Sequence, residues 1–135
     1  MLDKNKIDYY RRSGLKITPQ RLAILEYLEG NTSHPTAEDI YRHVSKKFPS
    51  MSFATVYNTL EALKEKGLIT ELHIEGGKKR FDPNPQPHHH FICTKCGKII
   101  DICKSLDLKI QNFDQMDLII EKFQIFFYGR CSECK

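Results

Sequence analysis

Two Cys-x2-Cys pairs constrain the fold of this 135-residue chain more than any other feature. Cys93 and Cys96 form the first pair, Cys131 and Cys134 form the second, and 34 residues lie between them. Four thiolates make a closed tetrahedral set that suits structural Zn²⁺, which can contribute on the order of 10 kcal/mol to folding. The pairs predict a zinc site that closes a small C-terminal domain; four buried or redox-active cysteines are the alternative. We expect the remaining Cys103 to be a small buried hydrophobe rather than a ligand.

The N-terminus of the chain does not resemble an export signal. Residues 1–14 are charged and lack the apolar core of a signal peptide, and no apolar run approaches the roughly 20 residues that span a bilayer. We therefore expect a cytoplasmic protein without a membrane partner, in which cysteines bind metal rather than form disulfides. The net charge is +4, and its excess lies mostly in residues 1–82, where 14 Lys and Arg compare with 11 Asp and Glu. This balance favours an anionic partner.

The first part of the chain has the pattern of short helices followed by a β-hairpin. Three helices are predicted to begin at the capping residues Thr18, Thr36 and Ser52. Two strand-like segments follow, residues 69–75 and 79–82, and they are expected to turn at a Gly-Gly pair. This order predicts a winged helix-turn-helix in which the helix after Ser52 is the recognition helix. A helical bundle with a β-ribbon is the alternative.

The stretch PNPQP at residues 83–87 cannot easily continue a helix or a strand, so it predicts a stiff linker. The predicted fold class is α+β: a winged helix-turn-helix DNA-binding domain over residues 1–82, the linker, and a second small metal-binding domain over residues 88–135. The segment FQIFFYGRC at residues 123–131 is apolar on both faces and predicts a buried strand. Its apolar surface exceeds what a domain of about fifty residues can cover alone, which favours a homodimer.

Three consecutive histidines provide donors for a second metal ion. On a strand, His88 and His90 would point to one face and His89 to the other. Further donors outside the cysteine set are His34, Asp82 and Asp101. Histidine and carboxylate ligands without sulfur suit Fe²⁺, Mn²⁺ or Zn²⁺. Solvent-exposed histidines beside a proline linker are the alternative.

Six segments, in this order, resemble the ferric uptake regulator family of bacterial metalloregulatory repressors. They are GLKITPQRLAILEYL, HPTAEDIY, SFATVYNTLEALKEKGLI, RFD, HHHFICTKCGKIID and YGRCSEC. The resemblance implies a winged helix, a hinge and an α/β dimerisation domain, with structural Zn²⁺ on the four paired cysteines. It also implies a regulatory Fe²⁺ or Mn²⁺ site formed by His34, Asp82, His88, His90 and Asp101.

Within this family the chain is most similar to the peroxide-stress regulators. Asp82 stands where iron sensors commonly have glutamate. Many iron sensors carry a third metal site, and the residues at its positions here are Pro87, His89 and Phe123. The resemblance implies a metal-dependent transcriptional repressor that senses hydrogen peroxide through iron-catalysed oxidation of histidine ligands and then releases DNA. His34 and His88 are the candidates for oxidation.

Other functions remain open at this point. An iron-responsive repressor is the alternative within the family, followed by a zinc-uptake regulator. Two histidines and a carboxylate also describe a non-haem iron oxygenase, but the sequence supplies no cosubstrate pocket and an enzyme would leave the recognition helix unexplained. We therefore expect the chain not to be an enzyme. A purely structural zinc protein is a further alternative.

The predicted partner is double-stranded operator DNA. A two-fold homodimer would present two recognition helices to a pseudo-palindromic site. The expected contacts are to base edges from Ser52, Thr55, Tyr57 and Asn58, to the backbone or minor groove from Lys16 and Arg21, and to phosphates from the wing residues Lys78, Lys79 and Arg80. Tyr57 matches a family position implicated in base contact; a partly buried packing tyrosine is the alternative.

Overall fold

The structure is a computed structural model that describes residues 2–74, 77–104, 114–121 and 123–135. It divides into two compact units, Met1–Pro85 and Gln86–Lys135. Among the described residues, no helix combines the length and the apolar character that a membrane crossing requires. The elements in chain order are α1 Lys4–Arg12, α2 Pro19–Leu28, α3 Ala37–Lys47, α4 Phe53–Glu65, β1 Thr70–Leu72, β2 Arg80–Asp82, β3 His89–Cys93, β4 Ile99–Ile102, a short 3-10 helix Asp114–Met116, and β5 Phe126–Gly129.

The helices of the first unit begin where the sequence offers a side-chain cap. The hydroxyls of Thr18, Thr36 and Ser52 each accept a hydrogen bond from the backbone N–H three residues further along. At Thr36 the bond is reciprocal, because Asp39 accepts from the Thr36 N–H at 3.0 Å. These bonds satisfy donors that a helix N-terminus otherwise leaves unpaired. The three predicted helix starts are confirmed.

The buried faces of α2, α3 and α4 form one apolar core in the first unit. Its most buried side chains are Ile24, Leu25, Leu28, Ile40, Val44, Val56, Leu60 and Leu63. Each contributes about 1.5–3 kcal/mol through burial. Because α4 turns its apolar face inward, its polar residues Thr55 and Asn58 lie exposed on the opposite face.

The wing is an antiparallel hairpin that continues into the backbone before α3. Glu71 on β1 lies opposite Phe81 on β2, and the Phe81 N–H donates to the Pro35 carbonyl at 2.9 Å. The hairpin therefore packs beside the start of α3 rather than projecting alone. Three helices with this hairpin form a winged helix-turn-helix, which confirms the predicted fold class.

The wing strands are shorter than the predicted segments 69–75 and 79–82, since each paired strand contains three residues. The apolar alternation runs on to Ile74, but the pairing with β2 stops at Leu72. Of the predicted Gly-Gly turn, Gly76 lies outside the described residues.

The second unit contains a three-stranded sheet in the order β4-β3-β5. The central strand β3 pairs antiparallel with β4, with His90 opposite Asp101. It pairs parallel with β5, with His90 opposite Phe126. The sheet thus places one of the candidate metal ligands directly across from another.

The outermost strand β5 differs from the buried strand that the sequence predicts. Phe127 and Tyr128 are 38% and 51% exposed. Among the described strands, β5 pairs only with β3, so its second backbone edge lies at the rim of the sheet. Within the described chain the prediction of a buried strand is therefore wrong for these two side chains, as expected for an apolar surface larger than the domain can cover alone.

Candidate metal centres and nucleic-acid interface

The four paired cysteines converge at one end of the second unit. Cys93 ends β3 opposite Gly129 at the end of β5, and this parallel register brings the loops that follow both strands together. The four Sγ atoms lie within 4.8 Å of one another. The Sγ atoms of Cys96 and Cys131 are 3.8 Å apart, which matches the edge of about 3.8 Å expected for a tetrahedron with Zn–S bonds of about 2.3 Å. With Cys134 as the fourth donor, the set fits one four-coordinate metal ion.

Backbone N–H groups point at one of these thiols. The N–H groups of Cys96 and Cys131 donate to Cys93 Sγ at 3.4 and 3.5 Å, and they lower the pKa of Cys93 to about 6. The side chain of Cys131, together with burial, raises the pKa of Cys134 to about 12. Four neighbouring thiolates repel one another unless a cation lies among them, and a divalent metal ion supplies that charge.

The fifth cysteine, Cys103, does not belong to this group. It comes directly after β4, which ends at Ile102, and its side chain is exposed. The prediction of a buried hydrophobe at Cys103 is therefore wrong, because the chain has already left the sheet at that point.

In the first unit, His34 and Asp82 form a buried pair. His34 Nε2 lies 3.4 Å from Asp82 Oδ2, and the second oxygen, Oδ1, accepts the Asn84 N–H at 2.9 Å. His34 has a φ of +53°, a left-handed conformation that is uncommon outside glycine. Its carbonyl accepts from Arg80 at 3.0 Å, which holds this loop against the wing. An imidazole and a carboxylate are thus fixed side by side at the start of α3.

In the second unit, two histidines face one aspartate. Asp101 Oδ1 lies 3.3 Å from both His88 Nε2 and His90 Nε2, and the two imidazole rings are 4.5 Å apart. His89 is directed elsewhere, because its Nδ1 accepts the Ile125 N–H at 2.9 Å. The predicted alternation of the three histidines is therefore observed, and it leaves two imidazoles and one carboxylate together.

Hydrogen bonds to the far side of His88 fix its tautomer. Its Nδ1 lies 2.7 Å from the Gln86 carbonyl oxygen. A carbonyl oxygen can only accept, so Nδ1 carries a proton, and Nε2, on the Asp101 side, is the ring nitrogen that a metal ion can take. Metal-binding histidines usually have this arrangement, in which the distal N–H is held by an acceptor. The donor set of the second unit therefore fits a metal ion with nitrogen and oxygen ligands.

Most of the side chains predicted to read DNA bases lie exposed at the N-terminal end of α4. Ser52, Thr55 and Asn58 are exposed, and Tyr57 is 37% exposed. The Ser52 and Thr55 hydroxyls are 2.9 Å apart, so each holds the other at the start of the helix. The Ser52 hydroxyl also caps α4, which gives this residue a structural role as well.

The basic residues predicted to contact the DNA backbone differ in their surroundings. Lys16, Lys78 and Lys79 are exposed, whereas Arg21 and Arg80 are partly buried. Arg21 donates to the Lys16 carbonyl at 3.1 Å. Arg80 already donates to the loop before α3 through the His34 carbonyl. If Arg80 contacts a phosphate, its guanidinium would bind the phosphate and this loop at the same time.

Two further polar residues were not predicted from the sequence. Glu71 on β1 is bonded to basic side chains of α4 and the wing. Gln124, just before β5, lies with its amide Nε2 3.3 Å from His90 Nδ1. Neither residue belongs to a motif. The partners of Glu71 lie within eight residues of it along the chain, whereas His90 is 34 residues from Gln124.

Comparison with known proteins identifies the family of this chain. The Ferric uptake regulator family matches residues 12–125. The chain is 43% identical over 129 residues to the peroxide-responsive repressor PerR of Staphylococcus epidermidis, and the match covers 93% of this chain and 85% of that protein.

Solved structures of the same family share the fold. The Vibrio cholerae ferric uptake regulator superposes with a TM-score of 0.71 at 31% identity, covering 96% of this chain and 100% of that one. The Campylobacter jejuni peroxide stress regulator superposes with a TM-score of 0.69 at 28% identity, covering 98% and 100%. The chain therefore belongs to the ferric uptake regulator family.

Proposed function

We propose that this protein is a metal-dependent transcriptional repressor that responds to hydrogen peroxide. The buried pair of His34 and Asp82 carries the proposal, because these two metal-ligand types are built into the winged helix itself. Asp82 ends the second wing strand, and the His34 carbonyl is bonded to Arg80. A metal ion bound by this pair would hold the same backbone that positions the wing. The similarity to a peroxide-responsive repressor favours peroxide as the signal.

The regulatory ligands in this proposal are His34, Asp82, His88, His90 and Asp101, and the ion is Fe²⁺ or Mn²⁺. Nitrogen and oxygen donors without sulfur suit both ions. Fe²⁺ bound here would supply the electron that cleaves the O–O bond of hydrogen peroxide. His34 and His88 are then the imidazoles that gain oxygen. An oxidised imidazole binds metal poorly, so the proposed ligand set is lost and operator DNA is released. The 83–87 linker is the proposed hinge for this change.

The four paired cysteines have a separate role in this proposal, which is to hold structural Zn²⁺. Four protein thiolates complete a tetrahedral coordination sphere and leave no position for a substrate or for peroxide. The distance of 3.8 Å between two of the Sγ atoms supports this assignment. The zinc site thus stabilises the second unit and takes no part in sensing.

The active form in this proposal is a homodimer on a pseudo-palindromic operator in the cytoplasm. Phe127 and Tyr128 are exposed on the rim strand β5, and an apolar strand edge of this kind favours pairing with a second chain. Two α4 helices would enter successive major grooves. The proposed DNA contacts are Lys16, Arg21, Ser52, Thr55, Tyr57, Asn58, Lys78, Lys79 and Arg80.

The test is operator binding by the Fe²⁺-loaded and the Mn²⁺-loaded protein, each with and without hydrogen peroxide. Both forms should bind, and peroxide should release the iron form while sparing the manganese form. Mass spectrometry should then find added oxygen on a peptide containing His34 or His88, with the zinc cysteines intact. Full recovery of binding on adding fresh Fe²⁺, without added mass on a histidine, would instead identify an iron-responsive repressor.

A further inference from the structure

Gln124 reaches a buried histidine that the proposed function uses as a metal ligand. The amide Nε2 of Gln124 lies 3.3 Å from His90 Nδ1, and His90 is fully buried. On the other side of the same ring, His90 Nε2 lies 3.3 Å from Asp101 Oδ1. Each of the two ring nitrogens of His90 therefore has a polar neighbour of its own.

The residues on either side of Gln124 both contact β3. The Ile125 N–H donates to His89 Nδ1 at 2.9 Å, and the Ile125 carbonyl accepts the His90 N–H at 3.2 Å. The Phe123 ring stacks on His89 with ring centroids 5.4 Å apart. Because both neighbours of Gln124 are held in this way, their contacts with β3 place the Gln124 side chain beside His90.

The partners of His90 differ in kind from those of His88. The Nδ1 of His88 faces the Gln86 carbonyl oxygen at 2.7 Å, and a carbonyl oxygen admits only a proton on Nδ1. The Nδ1 of His90 faces a primary amide, which has both a donor and an acceptor and exchanges them by a half-turn about its last bond. The tautomer of His88 is thus fixed, whereas that of His90 can change while its hydrogen bond is kept.

We propose that Gln124 is a positioning residue for the regulatory metal ion, because its amide partners His90 in both tautomers. Without metal, the Gln124 amide donates to Nδ1 and the ring proton on Nε2 points to Asp101. A metal ion takes the Nε2 lone pair, so the proton must move to Nδ1, where it needs an acceptor. The amide then presents its oxygen. This inference rests on the proposed function, since it assumes that His90 is a ligand.

The test compares three variants in the full-length, zinc-loaded protein. Gln124→Leu removes the hydrogen bond at similar size, Gln124→Glu offers only acceptor oxygens, and Gln115→Leu is a matched control at an exposed glutamine of the same unit. Mn²⁺ affinity is measured by competition with a fluorescent chelator. Gln124→Leu should bind Mn²⁺ about 10–100-fold more weakly, the range observed when such outer partners are removed. The metal-bound form loses the acceptor of a buried, polarised ring N–H, which costs more than the donor that the metal-free form loses. Gln124→Glu should bind at least as tightly as the parent, and Gln115→Leu should match it.

The tautomer of His90 gives a readout that a purely structural role would not change. Long-range ¹H–¹⁵N NMR of the metal-free protein should find Nδ1 of His90 without a proton in the parent and protonated in Gln124→Glu. A proton on Nδ1 in the metal-free parent would overturn the proposal even if Gln124→Leu failed to fold. Parent-like Mn²⁺ affinity in a folded Gln124→Leu, with its zinc retained, would also overturn it.

A fourth variant separates this inference from the function on which it rests. If His90→Ala binds Mn²⁺ as tightly as the parent, the regulatory ligand set is wrong and the proposed function fails with it. If His90→Ala loses Mn²⁺ while Gln124→Leu keeps it, the ligand set stands and only the role of Gln124 is rejected.

Discussion

Lys64 on α4 donates a hydrogen bond of 2.6 Å to Glu71 on β1. The other carboxylate oxygen of Glu71 lies 2.8 Å from His73 Nε2 and 3.3 Å from Lys79 Nζ. Burial acts to raise the pKa of Glu71, but the hydrogen bonds from Lys64 and Lys79 outweigh it, so the pKa lies below its usual value. One largely buried carboxylate therefore joins the end of α4 to the residues of the wing.

Replacing this carboxylate should destabilise the first unit. Glu71→Gln removes the charge that holds two lysines, and we expect a loss of about 1 kcal/mol in the free energy of unfolding. Urea denaturation measures it. Glu61→Gln is the matched control, because Glu61 contacts the same Lys64 at the longer distance of 3.3 Å. An equal loss in both variants would contradict a special role for Glu71.

The contribution of Glu71 should depend on pH. Because its pKa in the folded protein lies below the ordinary 4.5, the contribution is fully present above that value and is lost as the pH falls through the lowered pKa. The difference in unfolding free energy between the parent and Glu71→Gln should therefore shrink as the pH falls from about 5 to about 3. A difference that grows over this range would reverse the expected sign.

Loss of one zinc ligand should release both the zinc and the dimer. The two Cys-x2-Cys pairs lie 34 residues apart in the sequence and hold the loops after β3 and β5 together, so Cys96→Ser should open the second unit. Zinc per chain is measured by native mass spectrometry and molecular mass by light scattering. Cys103→Ser provides the control, since its exposed thiol lies outside the four-thiol group, and it should keep both properties. Full zinc content and an intact dimer in Cys96→Ser would show that the proposed site is wrong.

Truncating the Tyr57 side chain should lower the sequence specificity of DNA binding. The ring is 37% exposed near the start of α4, where a side chain can reach base edges. Tyr57→Ala should lower affinity for the operator while leaving non-specific binding nearly unchanged, so the ratio of the two falls. Fluorescence anisotropy on operator and scrambled duplexes gives that ratio. An unchanged ratio would remove Tyr57 from the recognition surface.

Truncating the Lys79 side chain should instead lower DNA affinity without changing sequence specificity. A lysine that contacts phosphate carries no sequence information, so Lys79→Ala should weaken binding to all duplexes by a similar factor and reduce the salt slope by about 1. The same anisotropy titrations, repeated over a range of salt concentrations, measure both effects. A loss confined to the operator would point to base contact or to a disturbed wing instead.

Helix starts and the four-cysteine group could be predicted because their causes are local or carried by spacing. The hydroxyls of Thr18, Thr36 and Ser52 cap helices from within three residues, so the sequence alone determines those bonds. Two Cys-x2-Cys pairs likewise predict one four-coordinate metal site, because the spacing within each pair is typical of metal ligands in many different folds.

Features set by distant pairing could not be predicted. The register that places Asp101 opposite His90 depends on which residues of β3 and β4 align, and the sequence offers several alignments of similar quality. The left-handed backbone of His34 is imposed by the loop between α2 and α3. The exposure of Tyr128 follows from the place of β5 at the rim of the sheet, which strand composition does not reveal.

The parallel pairing of β3 with β5 sets the distance between the two proposed metal sites. Both cysteine loops leave the sheet at one end, whereas His88 and His90 lie towards the other. From His90 to Cys93 a strand of this kind spans roughly 10 Å, too far for one side chain to bridge the two ions. A reactive oxygen species formed beside the histidines would meet imidazoles before it met thiolates. Oxidation at the histidines would thus leave the four-cysteine scaffold intact, so the folded protein would persist after its response, and each molecule would respond once.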